Sequence, residues 1–177
     1  KIALVQVKDH SSAGGAAAVD PKTYIPALEY LTNKGYKLVF IGREKYPEIF
    51  STLGVVDYAN SDQASFKNDL IIFNNADFCI VGPSGVSQFA EMTGIPFVYL
   101  NSWRPLHPTF SPFSVMVLAL AKSRATGKFL SFSEQHKLFN EGGVYFPIEK
   151  YEPIKPSGED ILAATQEAIE LKENPVE

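Results

Sequence analysis

The most chemically suggestive stretch runs from Asp77 to Asn101. It holds an apolar run, the turn Gly82-Pro83-Ser84-Gly85, a segment closed by Gly94, and a second apolar run. In open parallel sheets, ligands bind beyond the carboxyl ends of the strands. A glycine-bearing turn at such an end lets main chain approach a ligand closely. The helix expected next presents the unpaired amides of Gly85, Val86 and Ser87, and these donors with the helix dipole favour a phosphate. The Ser84 hydroxyl either adds a hydrogen bond to that anion or only caps the helix, as serines commonly do. Gln88, four residues after Ser84, and Glu91, three further on, lie at a spacing that shares one helix face. One of them could reach a ribose hydroxyl; the alternative is a polar, solvent-facing position.

Other chemistry-bearing residues fall at the ends of neighbouring apolar runs. Lys8, Asp9 and His10 follow the first. Lys8 can contact a phosphate, and Asp9 or His10 can serve as a general base, which must lie within reach of the attacking hydroxyl; the alternative is a charged surface loop. Arg43 follows the second run and can pair with a phosphate bidentately, or with Glu44 at the surface. Tyr58, Asn60 and Ser61 follow the third. Tyr58 can stack on a base or pack the sheet edge. Asp69 reads as structural, capping or bridging to the neighbouring loop. Asn101 ends the fifth run at the same edge. His107, in a proline-rich loop, is catalytic or decorative, and His136 reads as a helix-surface residue.

Several function classes are disfavoured. The three histidines stand at no metal-ligand spacing, there is no Asp-x-Asp triplet, and the single cysteine, Cys79, cannot build a thiolate site or an internal disulfide, so no metal and no cofactor are expected. Cys79 reads as a buried thiol in a reducing compartment. No GxGxxG or GxxxxGK[ST] pattern occurs, and the turn lacks the G-x-S-x-G elbow of a serine hydrolase. The formal net charge is -4 with no basic stripe, which argues against extended nucleic-acid binding. No apolar run is long enough to span a bilayer, since Lys122 and Arg124 close the one after Ser114. The chain opens directly on a strand-like run, as a piece of a larger protein would.

The elements that must position these residues alternate. Apolar, β-branched runs at 2–7, 37–41, 55–58, 78–81 and 97–100 read as buried strands. Helices are expected from Asp20-Pro21 to a stop at Gly35, over 47–53, after a cap at Ser61 or Asp62, and over 86–92. This order implies an α/β, Rossmann-like parallel sheet of about five strands with helices on both faces. Beyond Asn101 the pattern breaks, and helices are expected near 113–123, 133–140 and 159–173, the last capped by Ser157 with Asp160 three residues on. A linker covers 147–156. The expected organisation is a Rossmann-like core over 1–112 and a helical extension over 113–177 packed on it.

Taken in order, several segments resemble a family of bacterial glycosyltransferases associated with surface carbohydrate. They are YIPALEYL at 24–31, Gly35-Tyr36, Gly42, VDYANS at 56–61, Asp69, ADFCIVGPSG at 76–85, YLN at 99–101, FLSF at 129–132 and the helix opening EDI at 159–161. The resemblance covers nearly the whole chain. It implies the nucleotide-sugar-binding half of a GT-B-like, metal-independent enzyme. The donor would be held at Pro83, Ser84, Gly85 and Val86, a ribose contact would come from near Gln88, and a second Rossmann-like domain would complete the protein. The first-strand arginine of that family is Lys8 here, which keeps the charge without the fork, and its preceding histidine is Gln6. The implied setting is the cytoplasm, with association at the inner membrane surface compatible with a glycan acceptor. A polyol-phosphate or pyruvyl transferase of cell-envelope assembly, or a non-catalytic glycan- or nucleotide-binding domain, are the competing readings.

Overall fold

The computed structural model describes residues 1–8, 17–103, 111–142 and 146–174. Strands β1 (Ile2–Val5), β2 (Lys37–Phe40), β3 (Val56–Asp57), β4 (Phe78–Val81), β5 (Phe97–Ser102) and β6 (Val115–Leu118) form one six-stranded sheet in the order β3-β2-β1-β4-β5-β6. Every pairing in it is parallel. The central strands are apolar along their whole length because both faces are covered: β4 and β5 are buried throughout.

Alternate residues serve the two faces, as strand geometry requires. Ala3, Val5, Leu38, Phe40, Phe78, Ile80, Val98 and Leu100 pack with Ala27, Leu28 and Leu31 of α1 (Ile25–Asn33) and Ile161, Ala164, Ala168 and Ile169 of α5 (Gly158–Glu173). Leu4, Cys79, Val81, Phe97 and Tyr99 pack with Phe73 of α2 (Phe66–Asn74) and Ala90 of α3 (Gly85–Thr93). The helix pair on each face holds the sheet in a two-sided sandwich. The carboxyl ends of β1, β2 and β4 thus meet at one edge.

Three expectations are corrected. The helix over 113–123 does not form. Val115 and Val117 pack towards one side of the sheet and Met116 towards the other, so this run is strand β6, paired with β5. A short apolar run fits helix or strand equally well, and here pairing with the open flank of β5 decided the outcome. The sheet therefore continues past residue 112. Strand β7 (Leu120–Ser123) pairs antiparallel with β8 (Tyr151–Ile154), so the linker expected over 147–156 contains a strand. Finally, α2 is capped by Ser65, whose Oγ accepts from the Asn68 amide at 3.2 Å, while Ser61 donates its hydroxyl to the Tyr58 carbonyl.

β7, β8 and α4 (Phe132–Gly142) enclose a small cluster around Trp103, Ala119, Ala121 and Phe146. Gln135 of α4, 3% exposed, joins this lobe to the sheet. Its Nε2 donates to the Trp103 carbonyl at 2.7 Å and the Ala119 carbonyl at 2.9 Å, and its Oε1 accepts from the Ala121 amide at 3.1 Å.

α5 opens on the expected capping box: the Ser157 amide and hydroxyl both donate to Asp160 Oδ2, and the Asp160 amide donates back to Ser157 Oγ. Those bonds hold the Asp160 carboxyl below its ordinary range. Its contribution is fully present above the unfolded carboxyl's pKa of about 4 and is lost as pH falls through the lower folded value. Asp160→Ala should cost about 1 kcal/mol at neutral pH, with the gap to wild type closing in acid. Urea unfolding across the pH range measures this.

Candidate functional site

The site begins with a polar residue inside an apolar strand. Gln6 follows β1, still hydrogen-bonded to the sheet through its amide to Ile80, and is 1% exposed. Its Oε1 accepts from the Gly82 amide at 3.4 Å and from Ser84 Oγ at 2.9 Å. A main-chain amide only donates, so oxygen faces the turn and the Ser84 proton is committed to Gln6. Ser84 Oγ in turn accepts from the Val86 amide at 3.2 Å, as the N-cap of α3. Gln6 thereby fixes the 82–85 turn from beneath, and with the Gly82 amide on Gln6 and the Val86 amide on Ser84 Oγ, the Gly85 amide is the one these bonds leave for a ligand. Gly85 is the first helical residue, where an amide has no intrahelical acceptor.

Beside the turn, Lys8 Nζ meets Glu44 Oε1 at 2.6 Å, with side-chain exposures of 16% and 9%. Glu44 Oε2 accepts from the Arg43 amide at 3.1 Å. This return of Glu44 onto the strand end requires Gly42, whose φ is +115° and where a Cβ would lie 2.7 Å from Glu44 Oε2. Arg43 is exposed beside the pair.

These groups surround a cleft of about 480 Å³. Lys8, Arg43, Ser84, Gly85, Val86 and Gln88, named from the sequence, all line it, together with Gln6, Gly42, Glu44, Asp69, Phe66, Phe89 and Met92, which sequence reasoning did not place there. One end is cationic and amide-rich. The other is apolar: Phe66 is 70% exposed and Met92 78%, with Phe66 packed edge-on against Phe89 at 5.7 Å between ring centroids. Gln6 was visible as the one polar residue within its apolar run. The apolar wall had no signal of its own, because Phe66 and Met92 look like ordinary helix residues until α2 and α3 are set side by side.

The remaining residues named from the sequence lie elsewhere. Tyr58 does not face the cleft: it is 9% exposed, its hydroxyl donates to Asp69 Oδ1 at 2.8 Å and accepts from the Ser65 amide, and burial with the neighbouring carboxylate keeps it protonated. Asp69 is thus a bridge, as expected of it. Asn60 closes a turn onto Asp57 and the Glu44 carbonyl, and Ser61 bonds back to Tyr58. Asn101 is 2% exposed at a φ of 60°, its amide donating to the Ala18 carbonyl at 3.5 Å, so it ties the β5 end to the segment after β1. Pro83 and Glu91 are half-buried and do not line the cleft. Asp9, His10 and His107 lie outside the described residues. His136 is half-buried on α4, its Nε2 against the Asn140 amide nitrogen. Cys79 is fully buried and its thiol is pushed well up by desolvation, so it stays protonated. Among the described residues, no group of three or more His, Cys, Asp and Glu side chains could hold a metal, and no helix is long and apolar enough to cross a membrane.

Gly42 gives a direct check on this geometry. Gly42→Ala should destabilise the protein by about 2 kcal/mol, from backbone strain at φ +115° and displacement of the Glu44 carboxylate from its partners, whereas Gly35→Ala, at φ +81° with open space around it, should cost about 1 kcal/mol. Chemical denaturation of the two variants separates the contributions.

No protein-family model matches the sequence, and no curated protein does. Solved structures do match the fold. A glycosyl transferase of family 9 from Veillonella parvula superposes with a TM-score of 0.62 at 16% identity, over 96% of this chain and 46% of that one. The dodecameric iron-containing heptosyltransferase TibC, solved in complex with ADP-D-β-D-heptose, gives 0.60 at 17% identity, over 98% and 47%. The ADP-heptose lipopolysaccharide heptosyltransferase II of E. coli gives 0.56 at 12% identity, over 98% and 47%. The chain spans about half the length of these proteins, and its fold resembles that of the matched half of each.

Proposed function

We propose that the cleft holds the diphosphate of a nucleotide sugar and that this chain is the donor-binding half of a glycosyltransferase of bacterial surface polysaccharide or glycoconjugate synthesis. The observation that carries the proposal is the 82–85 turn, clamped by Gln6 at the amino end of α3 and facing Lys8 and Arg43 across one cleft. The fold likeness supports it.

The chemistry follows from the charge that must be managed. Transfer of a glycosyl group leaves a nucleoside diphosphate, and preorganised donors aimed at that developing charge lower the barrier. The Gly85 amide sits at the positive end of a helix dipole, beside the Val86 amide that caps onto Ser84 Oγ. Lys8 and Arg43 supply the cations, so the reading asks for no metal and no cofactor. With Tyr58 engaged by Asp69, the wall of Phe66, Phe89 and Met92 is the surface left to take the face of a base. Gln88, exposed on the rim of the cleft, is the proposed partner of a ribose hydroxyl. Asp9 or His10, following Lys8, is the proposed general base. The acceptor would enter between this half and a second Rossmann-like domain, in the cytoplasm at the inner membrane face.

Calorimetry of the full-length protein against UDP, ADP, GDP and CDP sugars, CDP-polyols and phosphoenolpyruvate tests the proposal. Binding of one nucleotide-sugar class is expected. Preference for a CDP-polyol or phosphoenolpyruvate would favour the polyol-phosphate or pyruvyl transferase reading, and no binding to any at millimolar concentration would sink the proposal. Gly85→Pro is the sharper probe. Proline suits the first helical position and an extended preceding residue, and Ser84 has φ -164° and ψ 171°. The variant should fold normally yet bind the nucleotide roughly tenfold more weakly, having lost one amide to a charged ligand.

A further inference from the structure

We infer that Glu44 is a positioning residue for Lys8, and that the strand end is built to let it act as one; this rests on the donor-phosphate reading above. A carboxylate beside an anion site is paradoxical by charge alone, since it repels the ligand. Its surroundings resolve the paradox. Lys8 is a flexible chain of four methylenes ending in a strongly hydrated charge, and two clefts are open to it. Lys8 and Glu44 line both the 480 Å³ cleft and, on their other side, one of about 760 Å³ bordered by Val19, Asp20, Tyr46 and Lys155. The ion pair stands between the two.

Glycines adjoin both ends of the pair, in ordinary contact at the lysine end and as a clearance at the glutamate end. A Cβ at Gly82 would come to 3.6 Å from Lys8 Cγ and 3.7 Å from the Leu100 carbonyl, so the lysine stem runs against the turn. A Cβ at Gly42 would lie 2.7 Å from Glu44 Oε2. Glu44 is held independently of Lys8, by the Arg43 amide on Oε2 and by Asn60 Nδ2 on its carbonyl at 3.4 Å. An anchored carboxylate therefore fixes a mobile ammonium next to Ser84 and Gly85 before any ligand arrives. Asp69, the other acid lining the cleft, is engaged by the Tyr58 hydroxyl, which leaves Glu44 as the acid that sets the lysine's direction. Holding a rotamer-rich side chain in its bound position removes an ordering cost from ligand binding.

The test uses the full-length protein, inorganic pyrophosphate as the probe, and a double-mutant cycle of Glu44→Gln and Lys8→Met, which isolates the coupling between the two sites. Lys8→Met and Glu44→Gln should each weaken pyrophosphate binding by roughly tenfold, and the double variant should bind no more weakly than Lys8→Met. Tighter or unchanged binding by Glu44→Gln would show simple repulsion and overturn the inference. So would an equal loss from Glu44→Gln in the Lys8→Met background, because the effect would then not pass through Lys8. Glu44→Asp keeps the charge one methylene short and should behave as Glu44→Gln, which provides a second variant should the glutamine form fail to fold. A readout without ligand separates this inference from the donor reading: the ligand-free wild type should show an ordered Lys8 ammonium resonance in 15N-edited spectra that disappears in Glu44→Gln. Its absence from the wild type overturns the positioning role, and a wild type that binds neither pyrophosphate nor any nucleotide overturns both.

Discussion

A parallel sheet buried on both faces leaves its strand ends as the natural place for polar groups, and those ends must be satisfied before they can serve a ligand. Here one buried side-chain amide meets that demand. Gln6 projects from the end of β1 beneath the β4–α3 turn, and its oxygen takes the Gly82 amide and the Ser84 hydroxyl. Without an acceptor at that point, a main-chain amide and a serine proton would be left in an almost fully enclosed position, a cost comparable to losing the hydrogen bonds outright. The turn's shape, the start of α3 and the direction of its free amide all follow from this contact. The neighbouring pair, Lys8 and Glu44, lines the cleft beside this turn.

Such an arrangement explains why the edge carries charge without carrying net charge. Lys8 and Arg43 are set against Glu44 and Asp69, and each acid is itself engaged by a neighbour. The positive character of the cleft then comes from directed groups, a helix amide and an oriented ammonium, more than from an excess of cations. A site of this kind favours a ligand that matches its geometry over any anion that happens to be near, which agrees with an acidic chain that has no basic stripe.

The alternation of strands and helices, the parallel sheet and the 82–85 turn were legible because they rest on local patterns: unbroken apolar runs, glycines at helix ends, a proline after Asp20, and the Ser157–Asp160 box. The residues placed at the cleft from the sequence alone were those that follow a strand or open a helix, Lys8, Arg43, Ser84, Gly85, Val86 and Gln88. What escaped was decided by packing between distant segments. Tyr58 offered an aromatic ring at the right edge, but Asp69, one helix away, claimed its hydroxyl. Asn101 sat at the right strand end, yet its positive φ turned it into burial. The run at 113–123 carries apolar residues in an order that either period accepts, and only the open flank of β5 made it a strand. Glu44 was seen as a surface partner for Arg43, since nothing local reveals that Gly42 folds it back over the strand end.

Gln135 narrows what the chain can change over time. Its side chain donates twice and accepts once, to three main-chain groups drawn from two segments. A glutamate offers two acceptors where two carbonyls wait for a donor, a leucine offers nothing, and an asparagine is a methylene short. Main-chain partners cannot be replaced by substituting their own residues, so no compensating change elsewhere can restore the match. The position therefore tolerates little: against glutamate, leucine and asparagine, glutamine alone has both the reach and the paired chemistry, and the junction between lobe and sheet depends on that match.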